Sequence, residues 1–137
     1  MAEPEEIERA VSRNIKLHKL LKDLVRKEKE LFGENNLEGR AQEAKLREQV
    51  EAEIVKATSD IQVLFESIER EKVNFTENQK QNLSVLMNRL RETITETIGV
   101  VEQTRRDLKH MKNETFDEIK TYAKTRNALK IYGRINQ

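Results

Sequence analysis

Residues 87–132, which read MNRLRETITETIGVVEQTRRDLKHMKNETFDEIKTYAKTRNALKIY, predict the fold. One set of residues in this stretch recurs at steps of three and four, the spacing that places side chains on one face of an α-helix. This stripe consists of Met87, Leu90, Ile94, Thr97, Val101, Thr104, Leu108, Met111, Thr115, Glu118, Tyr122, Thr125, Leu129 and Tyr132. Because an α-helix rises about 1.5 Å per residue, this one exceeds the diameter of a compact domain of this size. Part of it is therefore expected to pack on something other than its own chain.

A first helix is predicted near the start of the chain. It should begin near Pro4, because proline suits the first helical position, where its missing N–H would be unpaired anyway. It should end at Gly33, followed by a turn over residues 34–36. Its apolar face consists of Ile7, Val11, Leu17, Leu21, Leu24 and Leu31, widened by Ile15, Leu20, Val25 and Phe32.

A second helix should start near Leu37 or Gly39 and continue to about Lys72. Its apolar residues follow a spacing close to a heptad, the pattern of helices that pack along their length. They are Leu46, Val50, Ile54, Ala57, Ile61, Leu64 and Ile68, with Phe65 at the flank.

The second turn is predicted at residues 73–75, where the helical pattern of polar and apolar residues is interrupted. Thr76 followed by Gln79 has the spacing of a capping box, in which the two side chains satisfy free backbone N–H groups. Inside the third helix glycine costs about 1 kcal/mol relative to alanine, so Gly99 is interpreted as a close-packing point, with a weak spot in the helix as the alternative. A second capping-box pattern leaves open a break of the helix near residues 112–115.

Three long helices joined by short turns predict an all-α fold, an antiparallel three-helix bundle or coiled coil with a long C-terminal helix. The first two helices can cover only the N-terminal part of the third. We therefore expect two parts, a bundle over residues 1–108 and an amphipathic basic C-terminal helical extension over residues 109–137.

The composition agrees with narrow apolar stripes rather than a thick globular core. Of the 137 residues, 36% are hydrophobic and 37% are charged. No window holds the roughly 18 consecutive apolar residues of a transmembrane helix, and the acidic N-terminus does not resemble an export signal. The chain has no cysteine, which is compatible with the cytoplasm, the location we expect.

The formal net charge is +1, but the charge is unevenly distributed. Residues 33–72 carry ten acidic and six basic side chains, whereas residues 105–134 carry nine basic and four acidic ones. The basic C-terminal region indicates an interaction surface, with a solvated face rich in Lys and Arg as the alternative.

The sequence contains no arrangement that predicts an enzyme, a metal site or a cofactor. His18 and His110 are far apart in sequence and lack a second ligand at helical spacing, so both are expected to be exposed. The glycines are too scattered for a phosphate-binding loop. Carboxylates alternate with basic residues as surface pairs, which contribute a few tenths of a kcal/mol each.

Nucleic acid and membrane binding are both disfavoured. Tyr122 and Tyr132 lie among basic residues and could stack on bases, but the modest positive excess would be screened at physiological salt. An interfacial membrane helix usually has a stronger apolar face than a threonine-rich stripe provides.

A protein partner is the remaining interpretation of the C-terminal stripe, because apolar side chains left facing water at this density normally mark an interaction site. Apolar anchors would bind the partner, and basic residues would steer it by charge. The predicted partner-binding residues are Leu108, Met111, Phe116, Ile119, Tyr122, Lys124, Arg126, Leu129, Lys130, Ile131 and Tyr132.

Two stretches carry a resemblance to a known family. Residues 20–31, LLKDLVRKEKEL, with NNLE at 35–38, are similar to the first helix and following turn of the FlgN-type flagellar export chaperones. Residues 125–133, TRNALKIYG, resemble the basic closing segment of such small chaperones. The FliT type is similar as well, and the architectural resemblance covers most of the chain. These chaperones commonly have an Asn-rich stretch in the last helix, and this chain has only a few asparagines there.

This resemblance implies a cytoplasmic, all-helical chaperone for flagellar type III export. It would bind C-terminal amphipathic helices of hook–filament junction proteins or of the filament cap protein. An exposed apolar stripe on a basic helix suits an acidic amphipathic partner helix. The alternative is a homodimeric coiled-coil adaptor or structural protein, in which the same stripe pairs with a second copy.

Overall fold

The computed structural model describes the backbone of residues 3–135 and their side chains, except those of Ile119, Tyr122 and residues 127–135. The described residues form three α-helices: α1, Pro4–Gly33; α2, Leu37–Glu71; and α3, Glu77–Ile135. The predicted all-α class is confirmed, and no strand occurs among residues 3–135. The helix α3 is continuous through residues 112–115, where the sequence left a break open.

Local side-chain chemistry determines the turn between α1 and α2. Asn35 adopts a left-handed conformation (φ 56°), which asparagine tolerates better than most residues. The Asn36 side chain then accepts a hydrogen bond from the Gly39 N–H at 2.9 Å and caps α2. A Cβ at Gly39 would lie 2.9 Å from the Asn36 amide nitrogen, so a larger residue there would force the capping side chain to shift.

The turn between α2 and α3 contains the predicted capping box. Gln79 N–H donates to Thr76 Oγ1 at 3.1 Å, and Thr76 N–H donates to Gln79 Oε1 at 2.9 Å. Before it, Lys72 is left-handed (φ 51°) and ends α2. Val73 N–H donates to Ile68 O at 3.1 Å, which satisfies a free carbonyl of the last turn.

Within the compact unit Met1–Thr104, polar contacts between helices show the direction in which each helix runs. Asn14 bonds to Thr58 and Glu28 pairs with Arg47, so α1 and α2 are antiparallel. Gln79 bonds to Glu5 and Lys22 pairs with Glu96, so this part of α3 runs parallel to α1. The order is up-down-up, as predicted.

The hydrophobic core of this unit has two clusters. Buried residues of the first cluster are Ile7, Val11, Ile15, Ile61, Ile68 and Leu90. Those of the second are Leu21, Val25 and Val50. Val73 and Phe75 of the second turn pack against the first cluster, which anchors that turn to the core.

Three sequence expectations about packing are wrong. Leu20 is 45% exposed because it precedes the buried Leu21 and its side chain is rotated by about 100° around the helix. Leu46 is also 45% exposed, one turn before Val50, the first buried residue of α2. Gly99 is no close-packing point, since a Cβ there would meet no atom within 4 Å.

Candidate functional site

The predicted partner-binding residues lie on the second compact unit, Arg105–Gln137. Its described part is one helix, residues 105–135, which we call the distal segment of α3. The sequence placed the boundary between bundle and extension after residue 108, and the division of the structure falls after Thr104. The described residues of this unit contain no second element, so none of them outside the helix covers an apolar face of the distal segment.

Apolar side chains are accessible along the first turns of this segment. Leu108 and Met111 are half-buried, and Phe116 is 57% exposed. The Lys120 amine lies 4.5 Å from the centroid of the Phe116 ring. A cation over an aromatic face contributes about 0.5–1 kcal/mol at exposed sites, so the lysine orients the ring without removing it from solvent.

Threonines of the stripe direct their hydroxyl groups to their own helix. Thr115 Oγ1 donates to Met111 O at 3.0 Å, and Thr125 Oγ1 donates to Thr121 O at 3.0 Å. Since these hydroxyls are satisfied within the helix, they need no acceptor from a partner. The threonine positions can therefore border an apolar contact without burying an unpaired polar group.

Basic and acidic side chains both lie around these apolar positions, since Glu114, Asp117 and Glu118 are exposed beside Phe116. Lys120, Lys124 and Arg126 are exposed, whereas His110 Nε2 lies 2.9 Å from Glu114 Oε1 one turn away. Exposed cations attract an anionic partner over roughly a Debye length, about 8 Å at physiological ionic strength.

The structure locates only part of the predicted partner-binding set. Leu108, Met111, Phe116, Lys124 and Arg126 have described side chains, of which the last three are exposed. The remaining predicted residues lie outside the described side chains: Ile119, Tyr122, Leu129, Lys130, Ile131 and Tyr132.

Sequence reasoning missed a buried polar layer in the unit Met1–Thr104. Asn14 is 2% exposed; its Nδ2 donates to Thr58 Oγ1 at 3.3 Å, and its Oδ1 has no hydrogen-bond partner among the described residues. Thr97 Oγ1 donates to Thr93 O at 2.8 Å and also lies 3.3 Å from His18 O. The burial of Asn14 could have been predicted from its position, because it lies seven residues after Ile7, on the apolar face of α1.

His18 belongs to this layer, and its expected exposure is wrong. The residue is half-buried, and its Nδ1 has no hydrogen-bond partner among the described residues. Burial lowers the pKa of His18 below its ordinary value of 6.5. His18 is half-buried because it lies one turn after Asn14, on the side of α1 that faces the core. An exposed residue would lie on the opposite face of the helix.

Neither a metal site nor a membrane-spanning helix is found among the described residues. No group of three or more His, Cys, Asp or Glu side chains there could hold a metal ion. None of the described helical stretches is both long and apolar enough to cross a membrane.

No protein-family model, curated protein or solved structure matches this chain. Its function is therefore inferred from its own residues and their placement.

Proposed function

We propose that this protein is a cytoplasmic chaperone that binds an amphipathic helix of an export substrate through the distal segment of α3. The proposal is supported by the structure of the second unit, whose described part is a single helix with accessible apolar side chains. A lone amphipathic helix gains most of its stability from packing. Binding a partner helix would supply that packing.

The chemistry of the segment defines the partner. Leu108 and Met111, three residues apart on one face, offer apolar anchors for a helix that carries residues at i, i+3 and i+4, and Phe116 flanks this row about 80° around the helix from Leu108. Lys120, Lys124 and Arg126 favour acidic residues at the edges of that helix. The resemblance to FlgN-type and FliT-type chaperones suggests hook–filament junction proteins or the filament cap as the source of such helices.

The test is a binding titration of the full chain against purified junction and cap proteins, followed by fluorescence anisotropy or calorimetry. The substitution Phe116→Ser should weaken binding at least tenfold, because buried aromatic anchors dominate interface energies. Val85→Ser is the matched control: Val85 is 49% exposed, comparable with Phe116, but lies in the first unit. The control should bind like the parent.

A second variant tests those predicted partner-binding residues whose side chains are not described. Replacing Ile119, Tyr122 and Leu129 together by Ser should abolish binding while residues 1–105 keep their helical signal. If the parent binds none of these proteins, the chaperone proposal fails. Equal binding by the parent and both variants would move the site away from the distal segment.

Self-pairing through the same face, the mark of a homodimeric adaptor, is a separate outcome. It would appear as a dimer that Phe116→Ser dissociates and that junction and cap proteins do not disrupt.

A further inference from the structure

The charged side chains of the distal segment are sorted by sign around the helix. Between residues 105 and 120 every charged side chain is described, and all of them are exposed except that of Asp107, which is half-buried. Leu108, Met111 and Thr115 form a row along one face, which we call the central row. Because successive helical residues are rotated by about 100°, each charge has a defined position relative to Thr115, the middle of this row.

Basic residues lie on one flank of the central row and acidic residues lie on the other. The basic flank, about 60–120° from Thr115 in one direction, consists of Arg105, Lys109 and Lys112. The acidic flank, about 60–100° from Thr115 in the other direction, consists of Asp107, Glu114 and Glu118. The back face, opposite the central row, carries Arg106, His110, Asp117 and Lys120.

Side-chain contacts preserve this separation of charge. Phe116 lies on the basic flank, and the Lys120 amine reaches from the back face to 4.5 Å from the centroid of its ring. On the acidic flank, Glu114 Oε1 lies 2.9 Å from His110 Nε2, and His110 approaches from the side away from the central row. Lys120 therefore adds positive charge to the basic flank, and the side of the acidic flank next to the central row keeps its carboxylates.

Like charges within each flank argue against a helix adapted only to water. Arg105 and Lys109 lie four residues apart, a spacing at which like charges destabilise a helix. Glu114 and Glu118 repeat this arrangement on the acidic flank. A solvated helix gains from opposite charges at that spacing, but between residues 105 and 120 no Lys or Arg lies four residues from an Asp or Glu. A partner with the opposite charges would supply the compensation that the helix itself lacks.

We propose that the distal segment binds a helix whose own charges are sorted, with acidic residues along one edge of its apolar face and basic residues along the other. The acidic edge lies along the basic flank, and the basic edge lies along the acidic flank. This inference rests on the proposed chaperone function and narrows the class of helix that the chaperone binds. Charge patterns of this kind select partners more than they add affinity.

The sorted charges also determine the direction in which a partner helix runs. Turning a helix end to end, with its apolar face kept in contact, exchanges its two edges. A partner with sorted charges therefore satisfies both flanks in one direction only, and in the reverse direction like charges oppose each other on both sides. A helix with acidic residues on both edges meets repulsion along the acidic flank in either direction.

Synthetic peptides test the charge pattern on the full chain. All peptides share an apolar row at i, i+3 and i+4 and are stapled on the outward face, so that they are equally helical. The sorted peptide has Glu on one edge and Lys on the other, and the comparison peptides have Glu on both edges or Lys on both. By fluorescence anisotropy, the sorted peptide should bind about fivefold more tightly than either. Salt at about 0.5 M should reduce the difference, because it screens exposed charges.

A pair of neighbouring carboxylates provides matched variants of the protein. Glu118→Lys places a basic residue on the acidic flank and should lower the preference for the sorted peptide over the doubly acidic one about threefold. Asp117→Lys makes the same change of charge on the back face, where Asp117 is equally classed as exposed. This control should keep the preference of the parent.

The direction of binding is measured by energy transfer. Since the chain has no cysteine, Thr121→Cys accepts a single fluorophore at the C-terminal end of the two flanks. The sorted peptide should transfer energy more efficiently from one of its ends. A peptide with the same composition but exchanged edges should do so from its other end, because it binds in the reverse direction.

The inference is overturned if no peptide binds, or if the doubly acidic peptide binds as tightly as the sorted one. Equal effects of Glu118→Lys and Asp117→Lys would also overturn it, since only net charge would then matter. A stable dimer of the parent that no peptide disrupts would mean that a second copy covers the flanks, and would overturn it as well. Binding of junction or cap proteins, measured separately, would leave the chaperone proposal standing in each of the first two cases.

Discussion

At the scale of single residues, the buried polar layer is the most consequential feature of the helical bundle. Asn14, His18 and Thr97 lie where side chains of a packed helix are normally apolar. An unpaired buried polar atom costs about 1–3 kcal/mol, and the described surroundings leave Asn14 Oδ1 and His18 Nδ1 unpaired. The layer therefore limits the stability of the bundle and makes it sensitive to protonation.

We predict that the bundle loses stability in mild acid through His18. Burial lowers the folded-state pKa below the unfolded value of 6.5, so the unfolded chain binds the proton more tightly. This contribution is fully present above the unfolded pKa and is lost as the pH falls through the folded pKa. Thermal unfolding at about pH 7.5 and about pH 5.5 should show a smaller loss for His18→Asn than for the parent.

The control for this experiment is His110→Asn, since His110 is an exposed histidine on the same chain. It lies outside the unit Met1–Thr104, so the bundle of this variant should still lose stability in mild acid. An identical loss of stability for the parent and His18→Asn would assign the acid sensitivity to other groups.

Gly99 gives a prediction of the opposite sign. It lies inside α3 with open space where a Cβ would be, and its φ is not positive. Gly99→Ala should therefore raise the free energy of unfolding by about 0.5–1 kcal/mol, because alanine lowers the conformational entropy of the unfolded chain. Urea unfolding followed by circular dichroism measures the change. A decrease would mean that the position is crowded after all.

At the scale of elements, the helix ends are held by specific side chains and the helix interiors by long-range packing. The capping box of Thr76 and Gln79 satisfies two backbone N–H groups at the start of α3. Asn36 satisfies one at the start of α2. These contacts are local, so sequence spacing is sufficient to find them.

The substitution Thr76→Ala should cost about 1 kcal/mol of stability, as for other N-terminal caps. Thr76→Ser keeps the hydroxyl and should recover most of that loss, which separates the cap from the packing of the methyl group. Chemical denaturation of the three proteins gives both values. Equal stability of the parent and Thr76→Ala would show that the hydrogen bonds to Gln79 are replaced by water without cost.

At the scale of the whole molecule, the two units differ in what covers their helices. In Met1–Thr104 the three helices share a core that includes Leu90, which is 6% exposed. In Arg105–Gln137 the described residues form a single helix. Stability is therefore expected to be unequal along α3, and the second unit is expected to depend on a partner.

Amide hydrogen exchange of the isolated protein tests this expectation. Residues near Leu64 and Val101 should exchange slowly, because they open only when the core opens. Exchange should be fast from about Asn113 onward and should slow when a bound partner helix covers the segment. Uniform protection through Tyr132 in the isolated protein would mean that the segment is already packed.

The sequence alone was sufficient for the bounds of α1 and α2, the start of α3, the two turns, the capping box and the antiparallel order. Each follows from local chemistry or from apolar spacing along one helix, as at Pro4, Thr76 and Gln79. The resemblance to flagellar export chaperones and the partner-binding role of the distal segment stay predictions.

Which members of each stripe are buried follows from the packing of the helices against one another. Helical spacing assigns a side chain to a face, but burial depends on what the neighbouring helices place opposite it. Leu20 and Leu46 are consequently exposed, while Asn14 and Thr93 lie in the core, although hydrophobicity alone ranks them the other way. Burial by the surrounding fold also lowers the pKa of His18, which helical spacing alone does not predict.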